Sequence, residues 1–258
     1  MSNAYLAATD IHLSFGAVKV LRGVNFEVAR GEVVGLLGDN GAGKSTLIKV
    51  LAGVYKPDSG TVSIEGKPVE FHEPDDARQA GIETVYQDLS LVETLDVTAN
   101  LFLGREQRVR GGLGRLGFMD KSVMSKKARQ DVAELRVNLP PVNTPVSNLS
   151  GGQRQAIAIA RATSWGRTIV LMDEPTAALG VRESKEVLGL IRDLRDRGLG
   201  LVVISHDIPH VFEVSDRIVV LRHGTVHLNV AAKDTDPTKI VGAMLGAYAG
   251  ASGEDQDT

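Results

Sequence analysis

The sequence predicts an α/β fold: a mainly parallel sheet with crossover helices, preceded by short strands and interrupted by a helical lobe. Three observations carry this reading. Past Thr168, β-branched apolar runs (TIVLM, LVVIS, RIVVLRHG) alternate with helical segments, as in parallel sheets buried on both faces. Up to about Gly66, short strands are punctuated by turn residues. From about Asp88 to Ala162 helical segments take over, which marks an insertion into the alternating pattern.

In chain order, residues 1–87 contain AATDIHLSF, VNFEVARGE, EVVGLLG and TVSIEG, each read as a strand. One helix interrupts them: in KSTLIKVLAG, Leu47, Val50 and Leu51 recur at helical spacing, and Gly53 is the expected stop. Residues 88–162 are the helical lobe, broken by GGLGRLG from Gly111 to Gly117. Between Arg105 and Arg136 there are nine Lys or Arg against four Asp or Glu, a basic excess that suits a solvated helix face or contact with a partner or lipid headgroups. Residues 163–246 resume the alternation: TIVLM, a helix near Arg182 to Arg197, LVVIS, a helix through HVFEV, then RIVVLRHG and TVHLNV. The tail, residues 247–258, is polar and expected to fray.

Composition narrows the function classes. At 258 residues with a formal net charge of -3, the chain can bury a full core, and its bulk charge points to neither nucleic acid nor lipid. With no cysteine there is no disulfide, thiolate nucleophile or Cys-ligated zinc. The N-terminus MSNAYLAATD lacks a basic segment followed by an apolar run, so the chain is expected to be intracellular. No window approaches the roughly 18 apolar residues of a membrane span, so any membrane role must run through a partner.

The chemistry concentrates in two stretches. GDNGAGKST, comprising Gly38, Asp39, Asn40, Gly41, Ala42, Gly43, Lys44, Ser45 and Thr46, matches G-x-x-x-x-G-K-[ST] between an apolar strand and a helix. Glycines there let backbone N–H groups converge on a polyphosphate, with the helix dipole adding to the same hollow. Lys44 is expected to reach the terminal phosphates and the Ser45 hydroxyl a magnesium ion that bridges them. The second stretch is LMDEPTAALG, where TIVLM ends in Asp173 and Glu174. In a P-loop fold that strand is expected beside the P-loop strand, so its carboxylates open on the same crevice. Asp173 then suits the magnesium shell, directly or through water, and Glu174 a general base for the attacking water.

A further segment, LSGGQRQAIAIARA, begins a second helix: Leu149, Ser150, Gly151, Gly152 and Gln153 leave backbone donors exposed at its start. Two phosphate cradles with one set of metal ligands make sense in a two-fold, head-to-tail dimer, each ATP lying between the P-loop of one subunit and the LSGGQ of the other. With GDNGAGKST, VYQD, LSGGQRQ, LMDEP and ISHD in this order, the chain resembles the ATP-binding subunit of an ATP-binding cassette (ABC) transporter from about Tyr5 to Gly246.

That resemblance implies a P-loop NTPase core with an antiparallel β subdomain and an inserted helical lobe. It also implies that Phe15 stacks on adenine, that Gln87 senses magnesium and the attacking water, that Ser150 to Gln153 cap the other subunit's ATP, and that His206 holds the γ-phosphate. The implied cofactors are ATP and Mg2+. The implied partners are a second copy of the chain, an integral membrane permease gripped near NLFLGRE, and indirectly a sugar-binding protein, which would put the chain peripherally on the cytoplasmic face of the membrane. Where most cassettes have S-A-L-D after the DEPT motif, this chain has AALG, so Gly180 replaces an aspartate that touches the opposite subunit. TAALGVRE, GLLGDNGAGKSTLIKVLAGVYKPDSG and HVFEVSDRI are similar to bacterial monosaccharide importers, particularly the single-cassette fructose type. Two other classes share these motifs: a soluble cassette ATPase acting on nucleic acid or ribosomes, which usually has two cassettes or a long coiled-coil insertion, and a regulatory module that binds ATP without turning it over.

Overall fold

The computed structural model describes residues 4–109, 111, 117–135, 137, 139–165 and 167–247; most of GGLGRLG, part of the basic stretch and the tail beyond 247 lie outside the described residues. Strand β1 (Ala4–Phe15) turns back into β2 (Val18–Ala29), paired from Ala4 opposite Ala29 to Phe15 opposite Val18. After β3 (Val33–Leu37) and helix α1 (Lys44–Leu51), the chain returns to this layer as β4 (Ser59–Ile64) and β5 (Lys67–Val69). The result is an antiparallel sheet in the order β2-β1-β4-β5. Helix α1 stops where the sequence placed its end: Gly53 takes a φ of 71°, the left-handed turn that closes a helix.

Helix α2 (Pro74–Gln79) leads to β6 (Ile82–Val85), and the lobe follows with α3 (Val97–Leu101), α4 (Lys121–Glu134) and α5 (Gly151–Thr163). Then come β7 (Ile169–Asp173), α6 (Val181–Asp196), β8 (Gly200–Ile204), α7 (Ile208–Val214), β9 (Arg217–Arg222), β10 (Thr225–Ala231) and α8 (Pro237–Leu245). The second sheet has the order β10-β9-β3-β8-β7-β6. All its pairings are parallel except β9 with β10, which form an antiparallel hairpin.

Two expectations need correction. TVHLNV does not continue the parallel alternation, because His223 and Gly224 take positive φ (47° and 80°) and make the tight turn that a hairpin needs. Nor does TIVLM (β7) lie beside β3: LVVIS (β8) separates them, pairing Leu201 with Val33 on one side and Val170 on the other. Successive strands joined by one crossover helix pack as neighbours, so α6 delivers β8 to the flank of β7. The carboxylates at the end of β7 still open at the same edge as the glycine turn, one strand further away.

Alternate residues of the central sheet feed two cores, as the two-residue period of a strand requires. Ile169, Leu171, Val202 and Ile204 face the antiparallel sheet and Leu47, Ile48 and Leu51 of α1. Val170, Met172, Leu201 and Val203 face the helices, against Ile157, Leu188 and Ile191. A smaller cluster joins Val211, Ile240 and Ala243 to Leu37, Ile218 and Val220. The β9–β10 turn ties both layers to the glycine turn: Gly224 donates to the Ala42 carbonyl at 3.0 Å and accepts from the Arg22 amide at 2.8 Å.

Candidate nucleotide site

The turn from Gly38 to Gly43 is glycine-rich for two separable reasons. Gly38 has a φ of 147°, and a Cβ there would lie 2.1 Å from the Leu221 carbonyl oxygen. Gly43 has a φ of 105° and is wedged against Leu21 and Val20, where a Cβ would come within 2.9 Å of the leucine methyl. Conformation and close approach thus both exclude other residues. Lys44, at the start of α1, is buried and curls back so that Nζ donates to the carbonyls of Gly38 (2.6 Å) and Asp39 (3.0 Å). Burial lowers its pKa, and the charges of Glu174, Asp173 and Asp39 act against that shift.

A crevice of about 520 Å³ gathers Asn40 to Thr46, Gln87, Asp173, Glu174 and His206. Gln87 arrives just past the end of β6, Asp173 closes β7, and His206 follows β8, so three strand ends and one turn converge. Burial raises the pKa of both Asp173 and Glu174, opposed by the neighbouring Lys44 and His206 charges. Glu174 is held at a φ of 52°, unusual for a side-chain-bearing residue and typical of a functional position, with its amide donating to the Ile204 carbonyl at 2.9 Å. Its Oε2 accepts from the His206 amide at 3.3 Å. Its Oε1 lies 3.2 Å from His206 Nε2, within ion-pair distance but without hydrogen-bond geometry, so that buried oxygen makes no hydrogen bond.

Other sequence candidates lie elsewhere. Phe15 is half exposed, outside the crevice lining, and meets Tyr55 edge-on at 5.2 Å between ring centres. Val18 and Val20 line the crevice instead, and nothing in the sequence marked them, since valines in a strand carry no chemical signature. Leu149 to Gln153 are also outside it. Ser150 caps α5 by accepting from the Gln153 amide at 3.3 Å, while the Gln153 side chain accepts from the Ser150 amide at 3.0 Å. The two glycines are there for packing: a Cβ at Gly151 would meet Leu179 at 3.0 Å, and one at Gly152 would meet Glu183 at 3.0 Å. Glu183 caps its own helix, α6, by accepting from the Gly180 amide at 3.2 Å, while its stem packs against Gly152.

A separate cleft of about 310 Å³ beside Gln87 is lined by Tyr86, Ser90, Leu101, Leu103, Arg105 and Trp165, among others. Arg161, near the end of α5, fixes one wall by donating to the carbonyls of Ser90 and Leu89, both at 2.8 Å. Among the described residues no helix is long and apolar enough to cross a membrane.

A glycine turn feeding a helix at the end of a parallel strand, with a carboxylate pair at the end of another parallel strand two places along the same sheet, defines the class of P-loop nucleoside triphosphatases. The ABC transporter family matches residues 21–177, and the chain belongs to that family. It is 47% identical over 239 residues to the xylose/arabinose import ATP-binding protein of Sulfolobus acidocaldarius, covering 93% of each chain. It is also 47% identical over 244 residues to the fructose import ATP-binding protein of Rhizobium meliloti, covering 94% of each. A crystal structure of an ABC transporter ATP-binding cassette in its ADP conformation superposes with a TM-score of 0.81 at 27% identity, over 95% of this chain and 100% of that one.

Proposed function

We propose that this chain is the ATP-hydrolysing subunit of a bacterial monosaccharide importer, acting as a head-to-tail homodimer beneath a membrane permease that a sugar-binding protein supplies. The observation that carries the hydrolytic part is the single crevice that gathers Lys44, Gln87, Asp173, Glu174 and His206. The import part is supported by two relatives named for sugar import that match this chain along 93% and 94% of their own lengths. The dimer reading is supported by the position of Ser150 to Gln153 outside the crevice, which leaves them free to face a nucleotide held by a second copy. Residues 1–87 and 163–246 would form the nucleotide-holding body, and residues 88–162 the lobe that presents this segment.

Water attacks the γ-phosphorus as the bond to the β–γ bridging oxygen breaks, and the water's proton passes to Glu174. Its unpartnered Oε1 is the natural acceptor, and the raised pKa brings its basicity nearer to neutral pH. Lys44 would turn its Nζ from the Gly38 and Asp39 carbonyls to neutralise the terminal phosphates, and His206, beside Glu174, would reach the γ-phosphate. Among the described residues no cluster of three or more His, Cys, Asp or Glu could hold a metal unaided. The oxygen donors of Ser45, Asp173 and Gln87, which line the same crevice, fit magnesium and would hold it directly or through water, and the ion would neutralise charge on the phosphate oxygens. Phe15 would need to turn from Tyr55 to stack on the adenine. The permease would dock in the cleft beside Gln87.

The test is magnesium-dependent ATP hydrolysis by the purified chain, alone and with its permease in lipid, beside Glu174→Gln. Stimulation by the permease is expected, with turnover in the variant reduced by about 100-fold or more. Undiminished turnover in the variant would remove the proposed base, and turnover indifferent to the permease would remove the transport role.

A further inference from the structure

The two turns that carry Glu174 and His206 are tied together twice, once inside the crevice and once away from it. The inner tie is made by Glu174, whose amide donates to the Ile204 carbonyl and whose carboxylate accepts from the His206 amide. The outer tie joins Thr176, two residues past Glu174, to His210 in the first turn of α7: Thr176 Oγ1 lies 3.2 Å from His210 Nδ1. Thr176 is buried, so its hydroxyl needs a partner inside the protein, and a hydroxyl can donate to or accept from either tautomer of the ring. Asp207 fixes that ring: its Oδ1 accepts from the His210 amide at 3.0 Å, its Oδ2 lies 3.3 Å from Nδ1, and its own amide donates to Ser205 Oγ at 3.1 Å. Neither Thr176 nor His210 lines the crevice.

What the outer tie holds is a turn under strain. Between the end of β7 and the start of α6, Glu174 and Ala178 take left-handed φ values of 52° and 58°, which side-chain-bearing residues rarely adopt. Inside the turn the Ala177 amide donates to the Glu174 carbonyl at 3.1 Å and the Leu179 amide to the Thr176 carbonyl at 3.4 Å, the second a long bond. Strained positions persist only where their surroundings over-determine them, and Thr176, which meets His210, lies between these two. We propose that His210 is a positioning residue for hydrolysis: through Thr176 it holds the turn that aims the Glu174 carboxylate into the crevice, and it sets that aim against the loop that carries His206. This rests on the function proposed above, in which Glu174 takes the proton of the attacking water. The group for the γ-phosphate and the group for the proton are thereby kept in one geometry by a residue outside the crevice.

The test measures steady-state ATP hydrolysis by the full chain carrying His210→Ala, His210→Asn or His210→Gln, beside Glu174→Gln and the double variant of His210→Ala with Glu174→Gln. Asparagine places a polar atom close to the position of Nδ1, whereas glutamine places one nearer that of Nε2. His210→Ala is expected to lower kcat about tenfold with KM for ATP within about twofold, since misplacing a reacting group costs rate rather than binding. His210→Asn should recover most of that loss and His210→Gln little of it. On the Glu174→Gln background His210→Ala should cost nothing further, because both substitutions act on the same group. Wild-type turnover in a folded His210→Ala, a His210→Asn no better than His210→Gln, or a further loss in the double variant would each overturn the proposal. Should His210→Ala unfold the chain, Thr176→Val keeps the shape and removes the hydroxyl; the same loss of kcat is expected there, and wild-type turnover would overturn the proposal as well. If Glu174→Gln itself turns over like wild type, the proposed base fails and this proposal with it, whereas an inactive Glu174→Gln beside a fully active His210→Ala removes the role of His210 alone.

Discussion

Two carboxylates and a lysine share the crevice floor, and burial acts on them in opposite directions: it pushes the pKa of Asp173 and Glu174 up and that of Lys44 down. A carboxyl whose folded pKa exceeds its unfolded value binds more protons when folded, so stability falls as pH rises through that interval. For Glu174 the interval opens at the ordinary carboxyl value of 4.5 and extends upward. Glu174→Gln is therefore expected to raise the melting temperature of the nucleotide-free chain near neutral pH. The gain should narrow as pH falls below 4.5, where wild type is protonated in both states. A calorimetric pH series would check this, and a variant less stable than wild type at neutral pH would contradict the burial argument. Residues of this kind were legible because their chemistry needs a fixed order: a lysine after a glycine turn, an acid pair after an apolar strand. Val18 and Val20 were not, because their place in the crevice comes from what folding brings near them.

Helix α5 shows how an element can connect sites without a chemical group in either. It starts at Ser150, which caps it, and close to its end Arg161 grips the carbonyls of Leu89 and Ser90, just past Gln87. Burial lowers the Arg161 pKa, though an arginine stays charged at any working pH. Arg161→Ala is expected to leave nucleotide affinity within about twofold while reducing permease-stimulated turnover by about tenfold, through a loosened cleft wall. Paired titration and ATPase measurements would check this, and equal loss of both would point to general destabilisation. The helix itself was legible from LSGGQ and its apolar period. The position of β7 was not, because strand order depends on crossovers whose handedness and length no single segment encodes.

At the scale of the whole molecule, the proposed dimer puts the phosphate turn and the signature segment in different cradles, so that function would require two chains. Mixing makes this measurable. Lys44→Ala spoils the P-loop and Ser150→Arg the signature, so each homodimer has no intact site while the heterodimer has one good P-loop facing one good signature. Random pairing of equal amounts should restore about a quarter of wild-type ATPase activity, since half the dimers carry one intact site of two. Mixtures as inactive as either variant would argue against shared sites. The division into an α/β body, an antiparallel layer and a helical lobe was readable in outline from where strand and helix patterns change. How the layers join was not.

That join has a consequence. Gly224 is bonded at once to Ala42 in the phosphate turn and to Arg22 in the antiparallel layer, and a Cβ there would lie 2.3 Å from the Val20 carbonyl oxygen. The antiparallel layer and the phosphate turn are thus joined at a position with no room for a side chain, over a core they share. A swing of the antiparallel layer would carry the P-loop along with it, so in the proposed cycle the give needed for closing and reopening would fall to the helical lobe.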